Sequence, residues 1–272
     1  MKYLSAAVCL AMLAAPAFAQ PAPPPRPTGA SVDYHVHPKG GLSVDDALRR
    51  SRETGIYYGL AINGGLGQPA QNDAALEAFL HELDGKPVYK AMQAEGREWV
   101  GMFSRETRAR FDYVFTDSMT WTNPAGKRMR LFVPEEVEIG PDVQAFMDLL
   151  VGKTVGILET EPIDVYVNPT FLPAVIASRY DELWTEERMA RVIDAAVKSG
   201  VAIEINARYR IPSERFLRLA KAKGARFTFG TNNAGASDLG DWSYPLAMQK
   251  ALGLTWQDMF VPGHQPSRAQ RE

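Results

Sequence analysis

Short segments rich in β-branched and aromatic residues alternate with helix-like segments along most of the chain. These short segments predict strands, because such residues suit the pleated and half-buried surface of a sheet. No internal repeat and no boundary signal interrupts the alternation between residues 31 and 262. The predicted strands are residues 31–37, 57–63, 87–95, 112–118, 163–168, 201–206 and 226–232.

Between these strands, apolar residues recur with the period of an amphipathic helix. They occupy positions i, i+3, i+4 and i+7 in residues 76–83, 143–150 and 189–197, which places one apolar stripe on each helix. Capping residues and glycines agree, since a polar N-cap satisfies free backbone N–H groups and glycine tolerates the left-handed turn that ends a helix. The caps are Ser43 with Asp46, Asn72, Thr185 and Ser213, and the glycines are Gly55, Gly200 and Gly224.

Strands that alternate with helices predict a parallel sheet with right-handed crossovers. An open, doubly wound sheet is one solution, but no G-x-G-x-x-G follows the first predicted strand, and GGLGQ (64–68) is a weak substitute. Polar residues at the strand ends favour a closed or nearly closed (β/α)7 TIM-like barrel over residues 31–262, because barrel strands converge on one mouth. These strand-end residues are His35, His37, Asn63, Glu95, Asp117, Asn168, Glu204, Asn206, Asn232 and Asn233.

The composition is that of a water-soluble globular protein. The chain has 272 residues, 46% of them hydrophobic, and its mean hydropathy of −0.22 with 19 prolines excludes a polytopic membrane protein. The 30 basic and 32 acidic residues give a net charge of −2, so no global field favours nucleic acid or an anionic membrane. We therefore expect a small-molecule partner, no nucleic-acid partner and no stable membrane insertion.

The first residues have the pattern of an export signal. Lys2 supplies a positive start, a short apolar run follows, and Ala17-Phe18-Ala19 is an A-x-A cleavage pattern. The run is too short to span a bilayer, so we expect a cleaved signal and a periplasmic or secreted protein. The only cysteine, Cys9, lies in this signal, which leaves the mature chain without a thiol. The predicted flanking segments are a signal peptide (1–19), a proline-rich linker (20–30) and a polar tail (263–272).

The sharpest motif is D-Y-H-V-H at residues 33–37, on the first predicted strand. Residues i and i+2 of a strand share one face, so the imidazoles of His35 and His37 can bind one metal ion. The structural alternative is a pair of polar strand residues that face a hydrated mouth. Their position at the end of a first barrel strand favours a metal-binding or catalytic role.

The block DYHVHPKGGLSVDDAL (33–48) resembles the opening of the polymerase-and-histidinol-phosphatase (PHP) superfamily. Members of that family are metal-dependent and carry H-x-H on the first strand of a distorted (β/α)7 barrel. The resemblance implies phosphoesterase- or amidohydrolase-type chemistry, with Glu95 in the place of a bridging glutamate. The later blocks, in the family order, are AING (61–64), QAEGREW (93–99), FDYVFTDSM (111–119), IDVYVNPT (163–170), VAIEINA (201–207) and FGTNNA (229–234).

The chain departs from the family at most of the later metal positions. Family histidines are replaced by Gly65, Met119, Asn168 and Ala234, and the aspartate of the last block is replaced by Asn232. Two of the four histidines, His81 and His264, lie in a polar helix face and in the tail, so a trinuclear cluster of the family type cannot form. The resemblance then implies at most one divalent ion, zinc or manganese, with open positions for water and substrate. Its ligands would be His35, His37, Glu95 and, more weakly, Asn232.

Carboxylates, cations and amides at the other strand ends complete the candidate site. Asp117 and Glu204 are candidate catalytic residues, with Asp117 as a general base for water. The structural alternative is that each carboxylate pairs with a nearby arginine. Cations beyond the strand ends favour an anionic substrate, and asparagines there can recognise hydroxyls or fill structural hydrogen bonds. The candidate substrate-binding residues are Lys39, Asn63, Arg97, Asn168, Asn206, Arg208, Arg210 and Asn233.

Three functions agree with this pattern. The first is a mononuclear metal-dependent hydrolase of a small anionic substrate, favoured by the remaining H-x-H and Glu95. The second is a catalytically degenerate barrel that binds a metabolite, favoured by the replacement of metal ligands with asparagine. The third is a metal-free glycosidase or lyase that uses carboxylates as acid and base. We expect the hydrolase.

Overall fold

The structure is a computed structural model that describes residues 31–263 and residue 268. Its strands are β1 (Val32–Val36), β2 (Tyr57–Gly65), β3 (Tyr89–Glu95), β4 (Tyr113–Thr116), β5 (Thr120–Thr122), β6 (Arg128–Arg130), β7 (Val165–Tyr166), β8 (Ala202–Asn206) and β9 (Phe227–Gly230). Seven of them form a closed parallel barrel in the order β1-β2-β3-β4-β7-β8-β9, and the pairing of Asp33 with Phe229 closes it. The predicted (β/α)7 TIM-like barrel is confirmed.

Helices lie between the barrel strands, as the apolar periodicity predicted. They are α1 (Val44–Thr54), α2 (Asp73–Glu82), α3 (Arg105–Arg108), α4 (Val143–Thr160), α5 (Ala174–Ala177), α6 (Tyr180–Leu183), α7 (Glu186–Ser199), α8 (Glu214–Ala222) and α9 (Ser243–Leu252). The predicted caps are confirmed. Ser43 and Asp46 form a capping box at α1, and Gly55 ends that helix in the left-handed conformation. Asn72, Thr185 and Ser213 cap α2, α7 and α8.

Several predictions concern residues that lie outside the described part of the chain. These are the signal peptide (1–19), the proline-rich linker (20–30) and most of the polar tail, including His264. His81, the other histidine expected in solvent, has a side chain that is 88% exposed. Among the described helices, none is both long and apolar enough to cross a membrane.

Alternate residues of each barrel strand face the interior, as the period of two requires. On β3, Tyr89 and Ala91 pack inside the barrel and are followed by Gln93 and Glu95, while Met92 packs against the helices. The interior is therefore apolar toward the amino ends of the strands and polar toward their carboxyl ends. The apolar layer consists of Val32, Tyr34, Ala61, Tyr89, Ala91, Tyr113, Phe115, Val165, Val167 and Ala202.

A short hairpin that the sequence analysis did not predict follows β4. β5 and β6 pair in antiparallel fashion, with Thr120 opposite Arg130 and Thr122 opposite Arg128. The buried Trp121 anchors the hairpin, because its ring packs 6.3 Å from that of Phe146 on α4. Since the hairpin leaves the carboxyl end of β4, it rises on the polar side of the barrel.

Candidate functional site

An irregularity in β1 turns both histidines of the H-x-H motif into the barrel. The pairing of β1 with β2 shifts between Asp33 and Val36, which is the signature of a bulge. Tyr34 then packs in the apolar layer while His35 and His37 face the polar end, and the two imidazole centroids lie 5.1 Å apart. The prediction that His35 and His37 share one face is confirmed in this geometry, although the bulge was not foreseen.

His35 is held by a buried carboxylate from β8, which is two strands away from β1 around the closed barrel. Its Nδ1 lies 2.6 Å from Glu204 Oε1, and both side chains are excluded from solvent. The other oxygen of Glu204 accepts hydrogen bonds from the Asn168 N–H (2.7 Å) and from Asn206 Nδ2 (2.9 Å). Glu204 thus pairs with a histidine rather than with a nearby arginine. It is a positioning group for His35.

Gly230 on β9 makes room for this pair. A Cβ atom built on Gly230 would lie 2.0 Å from Glu204 Oε1 and 2.7 Å from His35 Cβ. Both distances are shorter than any van der Waals contact, so a larger residue at this position would displace the carboxylate. The glycine is required here for space and not for an unusual backbone angle.

Gln93 is a functional-site residue that the sequence analysis missed. Its Oε1 lies 3.1 Å from His35 Nε2, and its Nε2 donates to Glu95 Oε1 at 2.9 Å. Asn63 Nδ2 donates to the same oxygen at 3.1 Å. Gln93 therefore links the histidine pair to Glu95. Its position two residues before Glu95 on the same strand, and hence on the same face, was the signal that could have identified it.

His37 has one ring nitrogen without a partner. Its Nδ1 donates to the Ala61 carbonyl at 3.1 Å, whereas its Nε2 is buried and has no hydrogen-bond partner among the residues that the structure describes. Burial, together with the nearby His35 and Lys39, lowers the pKa of His37 well below its ordinary value. The ring is therefore neutral, and Nε2 carries a free lone pair inside the barrel.

Two buried carboxyl groups, Glu95 and Asp117, interact electrostatically at the mouth of the barrel. Burial and the charge of Asp117 raise the pKa of Glu95 to about 8, against the opposing hydrogen bond from Asn63 and the charges of Arg97 and Lys39. Burial also raises the pKa of Asp117 above its ordinary value. With a pKa of about 8, Glu95 can exchange a proton near neutral pH, so this pair is suited to acid–base chemistry or to a cation that stabilises its ionised form.

Asp117 is fixed by two donors. Its Oδ1 accepts from the Met119 N–H at 2.9 Å and its Oδ2 accepts from Asn168 Nδ2 at 3.1 Å. Each oxygen keeps a further lone pair, because a carboxylate oxygen can accept more than one hydrogen bond. Asp117 can therefore accept a proton without losing its orientation.

Asparagines join the strand ends into one hydrogen-bond network. Asn168 Oδ1 accepts from Asn206 Nδ2 at 3.0 Å and from Asn232 Nδ2 at 2.8 Å. Asn168 and Asn232 both have left-handed backbones, with φ of 47° and 49°, a conformation that asparagine tolerates better than most residues. Asn233 instead binds backbone, since its Oδ1 accepts from the His37 N–H at 2.7 Å and its Nδ2 donates to the His37 carbonyl at 2.9 Å. Asn233 thus supports His37 rather than facing the mouth.

The four predicted cations divide into two kinds. Arg97 donates to Glu161 Oε1 at 2.9 Å and to Thr116 Oγ1 at 2.9 Å, so it is held in a structural pair. The guanidinium of Arg210 lies 5.7 Å from the centroid of the Tyr244 ring. Lys39 and Arg208 lie near each other, as the lowered pKa of Lys39 indicates. Burial is the largest cause of that lowering, and the charge of Arg208 is the next.

Lys39 and Arg208 form no ion pair with a carboxylate within residues 31–263. Among the described residues, Arg208 donates to the backbone carbonyl of Asn232, at 3.2 Å, and stacks on the Tyr209 ring. The charge of Asp238 acts on both cations, but within these residues neither cation forms an ion pair with it. Two cations that repel each other and are not ion-paired with a carboxylate favour a bound anion. These two residues are the strongest candidates for binding the charged group of a substrate.

The donor atoms fit a divalent metal ion in part. His37 Nε2 is free, and its Nδ1 is fixed by a carbonyl in the way that metal-binding histidines usually are. Glu95 is connected through Gln93 to His35, and the Nε2 of His35 is engaged by Gln93. In the described part of the chain, no three His, Cys, Asp or Glu side chains are grouped as a metal site. The predicted zinc or manganese centre stays a prediction, with His37 and Glu95 as its best-placed ligands.

Two comparisons with known proteins identified no relative of this chain. No model of a known protein family matches the chain, and a search of curated proteins finds no match. The likeness to the PHP superfamily therefore rests on the sequence blocks alone and stays a prediction. The geometry of the site has to carry the functional conclusion.

Proposed function

We propose that the protein is a hydrolase that acts on a small anionic substrate at the barrel mouth, with one divalent ion bound by His37 and Glu95. The observation that carries the proposal is the buried His37 Nε2, which has no hydrogen-bond partner in the described part of the chain. An unsatisfied buried polar atom costs roughly 1–3 kcal/mol. A cation that accepts this lone pair would remove the cost and would also stabilise the ionised form of Glu95.

The rest of the ligand set requires one side-chain movement. If Gln93 turns away, His35 Nε2 becomes available beside His37 and Glu95, and the Oδ1 of Asn232 offers a weak fourth ligand. Zinc and manganese both accept such mixed imidazole and oxygen ligands. A bound ion of this kind would supply Lewis acidity to the scissile group.

The other residues would bind the substrate and move the proton. Lys39 and Arg208, which have no carboxylate partner in the described chain, would hold the anionic group. Asp117, oriented by Asn168, would take the proton of the attacking water. Asn206 would hold Asn168 and Glu204 in place and so keep the mouth rigid.

Metal analysis tests the ligand assignment. We expect at most one zinc or manganese ion per chain in protein purified without chelator or a nickel column. The double variant His35→Ala/His37→Ala should lose the ion, whereas His81→Ala, which changes an exposed histidine, should keep it. Full binding by the double variant, or three ions per wild-type chain, would contradict the proposed site.

Kinetic measurements distinguish a catalytic barrel from one that only binds a metabolite. In a screen of phosphate esters, lactones, amides and sugar acids, Asp117→Asn should lower turnover of any hit by roughly 10²–10⁴ while ligand binding is kept. Arg208→Ala should weaken binding of an anionic ligand by about tenfold or more, since a hydrogen bond to a charged group contributes about 1.5–3 kcal/mol. No turnover by the metal-loaded protein, with ligand binding that depends on Arg208, would indicate a degenerate binding barrel instead.

A metal-free acid–base enzyme is the second candidate, and the raised pKa of Glu95 favours it. With a pKa of about 8, Glu95 is protonated at neutral pH and could donate to a leaving group while Asp117 acts as base. Treatment of the wild type with a chelator, together with metal analysis of Glu95→Gln, distinguishes the two functions. Glu95→Gln should remove both the ion and the activity if Glu95 is a ligand. If Glu95 is the acid, activity should survive a chelator in the wild type and be lost in Glu95→Gln.

A further inference from the structure

A pocket lies between the β2–α2 connection and the β5–β6 hairpin, and we refer to it as the rim pocket. Its volume is about 300 Å³, and it is lined by Leu66, Gly67, Gln68, Arg128, Arg130 and Glu136. This volume is at the lower limit of small-molecule sites and suits a group the size of one sugar ring. The pocket is open, with Leu66 52% exposed, so a ligand can reach it from solvent.

The rim pocket adjoins the candidate catalytic group Glu95. Gly65, which precedes the pocket residue Leu66, pairs with Glu95 across β2 and β3. On the other side, the guanidinium of Arg128 lies against the backbone of Gly96, since a Cβ atom built there would be 2.8 Å from Arg128 Nη2. A substrate whose reacting bond lies at Glu95 would therefore extend into the rim pocket.

The charges of the rim pocket are already balanced. Arg130 Nε donates to Glu136 Oε2 at 2.8 Å, and a second bond from Nη2 to Oε1 makes the pair bidentate. Arg128 Nη1 donates to Glu98 Oε1 at 2.8 Å. Two guanidinium groups with two carboxylates leave no net charge for an anion, unlike Lys39 and Arg208. They do leave unused N–H donors and carboxylate lone pairs close together.

Paired donors and acceptors around a small apolar surface are what a hydroxyl-bearing ring requires. Each hydroxyl can donate to a carboxylate such as Glu136 and accept from a guanidinium such as Arg130. The amide of Gln68 provides both functions in one side chain, and Leu66 offers an apolar surface for ring carbons. An aliphatic substituent would cover the remaining N–H donors and carboxylate lone pairs without satisfying them, which is unfavourable.

We propose that the rim pocket is a hydroxyl-recognition subsite, so that the substrate is a sugar- or polyol-sized compound with one anionic group. This inference rests on the proposed function for the direction of binding, with the anionic group at Lys39 and Arg208 and the polyol part at Gln68, Arg130 and Glu136. It adds to that function the chemical class of the substrate.

Binding measured by titration calorimetry tests the subsite without requiring turnover. The probes are glucose 6-phosphate and ethyl phosphate, with gluconate and propionate as the carboxylate pair. We expect each polyol probe to bind about tenfold or more tightly than its short-chain partner, as one or two additional hydrogen bonds would give. Equal affinity within both pairs, or no binding of any probe, would overturn the proposal.

Variants of the pocket residues test whether the preference for polyol probes arises in the rim pocket. Gln68→Ala and Glu136→Gln should each reduce the polyol preference by about fivefold or more and leave the affinity for ethyl phosphate unchanged. Lys39→Gln should weaken the polyol probe and its short-chain partner by the same factor. Glu182→Gln is the matched control for Glu136→Gln, because Glu182 forms a bidentate pair with Arg179 as Glu136 does with Arg130. It should change nothing.

Unchanged unfolding midpoints would show that the variants are folded. A polyol preference that persists in both Gln68→Ala and Glu136→Gln would place polyol recognition elsewhere and overturn the subsite. The proposed function fails independently, if bound glucose 6-phosphate or gluconate derivatives are never hydrolysed while the preference and its loss in the variants are observed.

Discussion

Replacing Gly230 by alanine is the sharpest test of the buried His35–Glu204 pair. The new methyl group would lie 2.0 Å from Glu204 Oε1, well inside contact distance, and β9 cannot move because it pairs with both β8 and β1. The carboxylate must therefore leave its position. It would lose His35 and also the hydrogen bonds from the Asn168 N–H and Asn206 Nδ2.

The magnitude follows from the burial of both partners. Breaking a buried pair costs about 3–5 kcal/mol, because it leaves a charge without compensation. Overpacking by one methyl group adds about 1–3 kcal/mol where the neighbours cannot yield. We expect Gly230→Ala to lower the free energy of unfolding by at least about 4 kcal/mol, which is the lower end of the two contributions together. For a domain of this size, that corresponds to a decrease of the unfolding midpoint by roughly 8–16 °C.

Urea unfolding followed by circular dichroism, with thermal scans alongside, measures this change. Gly156→Ala is the matched control, since Gly156 lies within α4 and a Cβ atom there meets nothing within 4 Å. The control should gain about 0.5–1 kcal/mol, because alanine favours a helix more than glycine does. The same chemical change thus has opposite signs at the two sites. If Gly230→Ala stays within about 0.5 kcal/mol of the wild type, Glu204 does not occupy the position described.

Two further predictions concern buried carboxyl groups. Because the pKa of Glu95 is raised from 4.5 to about 8, its protonated form stabilises the fold fully below pH 4.5, and this stability is lost as the pH rises through 8. In chelator, wild-type protein should therefore lose on the order of 3 kcal/mol of unfolding free energy relative to Glu95→Gln between pH 5 and pH 9, and a constant difference in urea unfolding would contradict this. Glu161→Ala should cost about 3–5 kcal/mol, since it strands the Arg97 guanidinium and the Trp99 indole N–H, whereas Glu138→Ala, which breaks the exposed pair with Lys127, should cost less than about 1 kcal/mol in the same assay.

The barrel could be predicted from the sequence because strands, helices and caps are encoded by nearby residues. The period of two on β3 and β8 and the capping box at Ser43 need no information from distant parts of the chain. Parallel strands also share one carboxyl end. Polar residues at strand ends, such as Asp117 and Glu204, were therefore expected at the same end of the barrel, and His35 indeed meets Glu204 there.

The tertiary structure alone decided which polar groups bind each other. Gln93 lies between His35 and Glu95 because barrel closure brings β1 against β2 and β9, with β3 two strands away. Arg97 forms an ion pair with Glu161, which is 64 positions away in sequence and lies at the end of α4.

The left-handed backbone conformations of Asn168 and Asn232 could not be predicted from the sequence either. An asparagine at a strand end can bind a ligand, stabilise a turn or hydrogen-bond a neighbouring amide, and the sequence does not distinguish these roles. The local sequence pattern determines the backbone conformation of a residue and the face of the strand or helix on which it lies. It does not determine the hydrogen-bond partner of a buried polar group, because that group binds whichever donor or acceptor the folded barrel places within about 3 Å.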